Sequence, residues 1–106
     1  CASARVDLKD YRGAIADFTK VIALDSTDAG AYYSRGLAKF AVKDYIGALW
    51  DYNKYIERYP QSGEAHYDRA MAKLELGFKS GACLDLQKSL ELGYSDAREE
   101  IEKNCK

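Results

Sequence analysis

Few side chains in this sequence could make or break bonds: one histidine, His66, and three cysteines, Cys1, Cys83 and Cys105. A nucleophile needs an adjacent base that a third group orients, and a lone histidine gives no local set of that kind. The cysteines and the histidine also lack the close spacing of metal ligands. The glycines stand singly along the chain instead of clustering after a strand, so no phosphate-cradling loop is encoded. These patterns lead us to expect a non-enzymatic chain with no catalytic residue, no metal site and no cofactor.

The remaining chemistry is ionic and periodic. Asp17, Asp51 and Asp85 are each followed 18 residues later by a base, Arg35, Arg69 and Lys103. Each pair either bridges neighbouring structural units across a partly buried seam or is a pair of solvated charges contributing about 0 to 1 kcal/mol. The period behind them is 34 residues: Gly13-Ala14, Gly47-Ala48 and Gly81-Ala82 recur at that step, as do Lys20, Lys54 and Lys88. Repetition at this interval is the mark of an array of stacked units.

Within a unit the apolar residues fall at helical intervals. Tyr33, Leu37 and Phe40 share one stripe over Ala31 to Ala41, and Ala48, Tyr52 and Ile56 share another over Tyr45 to Arg58, with a short turn around Lys43 and Asp44. Asp10 and Asp44 are placed to cap second helices, and Ser26 to Asp28, Ser62 and Ser95 to cap helices after longer turns. The thrice-repeated glycine either lets paired helices approach closely, together with the small residues Ala2, Gly36 and Ala70, or merely occupies a first helical turn.

Composition agrees with one folded domain. The 106 residues are 47% apolar and 31% charged, and 16 basic groups face 17 acidic ones without segregating. No basic stripe points to nucleic acid, and no uncharged run is long enough to insert in a membrane.

The sequence resembles the tetratricopeptide-repeat family, on Tyr32, Gly36, Ala48, Tyr52 and Pro60 in the middle unit, Ala14 and Phe18 in the first, and His66, Ala70, Ala82 and Leu86 in the third. The resemblance implies an all-α fold, a right-handed α-α superhelix, with residues 1–28 as a truncated first repeat, 29–62 and 63–96 as complete ones, and 97–106 as a C-terminal capping helix. Cys1 matches Arg35 in the register, so the first repeat enters part-way through its opening helix. Tyr55 and Val21 stand where the family usually has a small residue. Phe78-Lys79 replaces the Asp-Tyr of positions 10–11 and 44–45, which puts the third unit's turn angle in question. The segment from Gly81 to Cys105 is similar to the tails of bacterial repeat proteins of the Bacteroidetes group.

By the same resemblance, a protein or peptide partner binds the concave face built from first helices. The register places Val6, Asp7, Tyr33, Ser34, Leu37, Tyr67, Asp68, Met71 and Glu75 there, with Ala41 beside them and with Phe40 and Leu74 as lining residues that also pack between helices. Aromatic and aliphatic residues flanked by acids suit an apolar or mildly basic segment. One subgroup of the family clamps acidic chaperone tails with Lys, Arg and Asn; here Tyr33, Ser34, Glu64, Tyr67 and Asp68 occupy those places, and the acids Glu64 and Asp68 would repel a carboxylate. His66 matches Tyr32, a packing position. The other class of role is structural, through self-association as a homo-oligomer, with Trp50 on the outer face either a contact or laid along a neighbouring helix. Cys83 and Cys105 either form a bridge, implying an exported or periplasmic location, or stay free, with the cytoplasm as default.

Overall fold

The computed structural model describes residues 8–105, and among them six helices and no strand: α1 (Leu8–Leu24), α2 (Ala29–Ala41), α3 (Tyr45–Arg58), α4 (Gly63–Glu75), α5 (Lys79–Glu91) and α6 (Asp96–Asn104). Each helix packs chiefly on its neighbours in the chain, α1 on α2, α2 on α3, and so on to α6, which covers the end of the stack against α5. This is the sequential contact pattern of a helical array. The expectations for Cys1, Ala2, Val6 and Asp7, and for the opening of the first repeat, lie outside the described residues.

Local chemistry sets the helix boundaries. The Asp28 carboxylate accepts from the Ala31 amide at the start of α2, Asp44 from Gly47 at α3, and the Ser62 hydroxyl from Ala65 at α4, each satisfying an amide that has no partner inside the helix. The turns after α2 and α4 are the same device: Lys43 (φ 69°) and Gly77 (φ 85°) take the left-handed conformation, and the amides of Asp44 and Phe78 reach back to the carbonyls of Lys39 and Lys73, both at 2.8 Å. The third unit therefore turns like the second although Phe78 supplies no side-chain cap.

Two capping expectations are corrected. Asp10 lies inside α1, which runs unbroken through Lys9, whereas the matching Lys43 takes the left-handed conformation that ends α2. Ser95 precedes α6 but already has helical dihedrals (φ −65°, ψ −23°), and its hydroxyl makes no capping bond. A capping side chain needs an extended backbone to reach the amides ahead of it.

The glycines divide by phase. A Cβ at Gly36 would stand 2.8 Å from Tyr52 Cε1 and 3.2 Å from Asp51 Cβ, so here the lack of a side chain is what lets α3 lie against α2. At Gly13 such an atom would meet nothing within 4 Å, and at Gly81 it would lie 3.4 Å from the Lys73 side chain, an ordinary contact. Gly47 and Gly81 are each the third residue of their helix, the first-turn role. The close-approach reading thus holds at Gly36 and, among the thrice-repeated glycines, at Gly47 alone, where a Cβ would run into the Asp44 carboxyl and stand 2.9 Å from Lys39 Cδ of α2.

Two apolar clusters fill the seams. Ala48, Tyr52 and Ala72 join Tyr33 and Phe40 between the second and third units; Ala70, Ala82, Leu86 and Ala97 join Tyr67, Leu74, Leu90 and Ile101 under α6. Burying a side chain such as Leu86 contributes about 2 kcal/mol. Cys83 on α5 and Cys105 at the end of α6 are disulfide-bonded, so the capping helix is held covalently as well as by Ala97.

Candidate functional site

Two carboxylates with matching partners hold the helix pairs rigid behind the concave face. Arg35 donates Nε and Nη2 to the Asp51 oxygens, both at 2.8 Å, and Arg69 does the same to Asp85 at 2.9 and 2.7 Å. Lys39 and Lys73 add a second cation to each, at 3.4 and 3.0 Å. Burial pushes the Asp85 carboxyl up, but the hydrogen bonds from Arg69 and Lys73 more than offset this and hold it below the usual carboxylate value.

These contacts correct the expected pairing of Asp17 with Arg35, Asp51 with Arg69 and Asp85 with Lys103. Each arginine lies 18 residues after one aspartate and 16 before the next, and those intervals together make one repeat, so periodicity alone cannot choose between them. The packing of α2 on α3 and of α4 on α5 decides it, placing Arg35 beside Asp51 and Arg69 beside Asp85. The neighbouring unit is reached by the remaining guanidinium nitrogen, which donates to Thr19 at 3.2 Å from Arg35 and to Asn53 at 2.9 Å from Arg69.

His66 is buried in the same region. Its Nε2 lies 3.0 Å from the Pro60 carbonyl, which can only accept, so that nitrogen carries the proton; Nδ1 stands 3.8 Å from Asp85 and has no hydrogen-bond partner among the described residues. The packing role expected for His66 is what the structure shows.

On the concave side, Leu37 and Phe40 of α2, Tyr52 of α3, and Tyr67, Asp68 and Met71 of α4 enclose a cavity of about 170 Å³. The Tyr33 hydroxyl donates to Asp68 Oδ2 across the two units. Burial first, and the bond to Asp68 second, push the Tyr33 phenol far above its ordinary value; burial raises Tyr52 as well. Burial also lifts the Asp68 carboxyl to about 6, the Tyr33 bond pulling the other way and the Glu64 charge adding to the rise. A second cleft, of about 540 Å³, lies between α4 and α6 and shares Met71 with the first. Met71 borders both, so the two adjoin, and together they make up the trough.

Of the expected groove residues, Tyr33, Leu37, Tyr67, Asp68 and Met71 meet at the first cavity. Glu75 lines the second with Leu74. Ser34 is half-buried on α2 and lines neither. Phe40 and Leu74 pack in the core as expected and also present an edge to the trough. Sequence reading missed Tyr52 and Tyr55: Tyr52 forms part of the cavity wall, and the Tyr55 ring stacks on Tyr33 with centroids 4.7 Å apart. The signal was present, since Tyr55 stands where the family usually has a small residue.

Outside the trough, Trp50 is 65% exposed on α3, and Leu84, one repeat later on α5, is 69% exposed. No described helix is long and apolar enough to cross a membrane.

The family model of the TPR repeat matches residues 2–43. Among solved structures, the first TPR domain of Spaghetti (RPAP3), bound to the HSP90 peptide SRMEEVD, is similar with a TM-score of 0.86 and 25% identity over 92% of this chain and 79% of that one. MamA is similar with a TM-score of 0.80 and 25% identity over 84% of this chain, which spans 53% of the MamA chain. No curated protein sequence gives a match.

Proposed function

We propose that the chain, whose residues 2–43 match the TPR-repeat model and whose fold is similar to TPR domains, is a non-enzymatic interaction module that binds an extended segment of a partner protein along the trough between α2, α4 and α6. The observation that carries this reading is the cavity formed by Leu37, Phe40, Tyr52, Tyr67, Asp68 and Met71 on the concave side. Aromatic walls give a large contact area for little entropy, and the arginine-aspartate pairs behind them hold the helices in place before a ligand arrives. The similar domain of Spaghetti holds a peptide, which supports the same use of the fold here. The acids in this trough disfavour a carboxylate-rich tail such as the one that domain holds. The mixed surface charge gives nucleic acid no basic track.

A random-peptide display library selected on the immobilised protein tests the proposal. Recovered peptides should bind the wild type and lose affinity for the Tyr33→Ala, Tyr67→Ala double variant, whose helicity by circular dichroism should be retained. Peptides that bind both proteins equally would refute the trough.

A second reading is self-association through the outer face, favoured by the exposure of Trp50 and Leu84 at equivalent positions of successive repeats. Light scattering over a range of concentrations would detect it. A dimer that dissociates in Trp50→Ala supports that reading, and a concentration-independent monomer contradicts it.

A further inference from the structure

Among the described residues three aspartates are buried or half-buried, and of these only Asp68 has no cation among the described residues. Asp51 has Arg35 and Lys39; Asp85 has Arg69 and Lys73. Asp68 forms no ion pair with any described residue. Its one bond is to the Tyr33 hydroxyl, which occupies Oδ2 and leaves Oδ1 without a donor among the described residues. A carboxylate drawn out of water and left uncompensated is costly, and such groups are normally paired. The titratable groups around it do not relieve it: α2 contributes Tyr33, α3 contributes Tyr52, α4 contributes Tyr67 and Glu64, the latter with a charge of the same sign, and Tyr94 follows α5.

The cavity that opens onto Asp68 has a matching shape. Leu37, Phe40 and Met71 give it an apolar side, Tyr52 and Tyr67 supply aromatic rings, and Asp68 is the one ionisable carboxylate in its lining. A long aliphatic stem ending in a positive charge complements such a cup, the stem lying on apolar surface and the head reaching the acid. Aromatic faces add an attraction for the cation.

Resting on the partner-binding reading above, we propose that this cavity is a specificity pocket for a lysine side chain of the bound segment, with its ammonium on Asp68 Oδ1. Lysine is selected over arginine because Tyr33 already holds Oδ2. A guanidinium draws its advantage from gripping both oxygens of a carboxylate, and here only one is open; an ammonium is a point charge that needs only one. Glutamate, or a segment ending in a free carboxylate, is rejected by Asp68 and Glu64 together.

The test uses peptides recovered from the random-peptide display library. Recovered sequences should share a lysine at a fixed position. Replacing it with norleucine, which keeps the stem and removes the charge, should weaken binding to the wild type by about tenfold. The same replacement should change affinity for Asp68→Asn by less than about twofold. Asp68→Asn should fold normally, since the residue has no ionic partner to lose. As a second readout, affinity of the lysine peptide for the wild type should fall as pH is lowered through about 6, where Asp68 takes up a proton, and Asp68→Asn should lack that dependence. Peptides that need Tyr33 and Tyr67 but share no lysine, or whose lysine is indifferent to Asp68→Asn, would overturn the pocket while leaving the trough intact. Recovered peptides indifferent to all of these residues, or no recovered peptide at all, would overturn both.

Discussion

The Tyr33 hydroxyl on α2 donates to the Asp68 carboxylate on α4, joining two successive units at the floor of the trough. That bond favours the charged carboxylate, against the burial and the Glu64 charge that favour the neutral one. Tyr33→Phe should therefore move the Asp68 carboxyl above its present value of about 6, read from the pH dependence of its side-chain carbon resonance. A folded value above the unfolded one means that the native state holds the proton more tightly. The stabilising contribution is thus complete at acid pH and is lost as pH rises through about 6. An unchanged or lower titration midpoint in Tyr33→Phe would contradict the bond.

Asp85 should behave in the opposite sense. Its carboxyl is held below the unfolded value by Arg69 and Lys73, so its contribution is present at neutral pH and is lost as pH falls through the carboxylate range. Asp85→Asn leaves Arg69 beside a neutral amide and should cost about 3 kcal/mol at neutral pH in denaturant unfolding, with the difference from wild type shrinking in acid. A loss under about 0.5 kcal/mol would place the pair among solvated surface contacts.

Lys43 takes a left-handed conformation that glycine adopts freely and that Gly77 already fills one repeat later. Lys43→Gly should raise stability by about 1 kcal/mol, seen as a higher unfolding midpoint. A lower midpoint would show that the lysine side chain contributes more than its backbone strain costs.

Gly36→Ala should do the reverse. The added methyl would stand 2.8 Å from the Tyr52 ring and 3.2 Å from Asp51 Cβ, so α3 or the ring must shift to admit it. The expected loss is about 1 to 3 kcal/mol, whereas Gly13→Ala, facing open space, should be neutral or stabilising. Equal effects at the two positions would contradict the packing given for α2 and α3.

The architecture was readable because it follows from the period: helices, turns and the stripe carrying Tyr33, Leu37, Tyr67 and Met71 all repeat with it. Pairing was harder to read, because a spacing of 18 and a spacing of 16 fit the same period, and the choice lay in the packing of α2 on α3 and of α4 on α5. The Asp68 bond was hidden for a related reason. Tyr33 and Asp68 are 35 residues apart, one beyond the repeat, so they occupy different register positions and meet only because successive first helices lie side by side. Ser95 resembled a cap by residue type, but type does not reveal that its backbone is already helical.

The central claim is that the concave trough, and not the outer face, receives the partner. Backbone amide resonances of the protein, followed while a peptide recovered from the display library is added, locate the contact directly. The account predicts that the largest shifts fall on Tyr33, Leu37, Tyr67, Asp68 and Met71; shifts centred on Trp50 and Leu84 would contradict it.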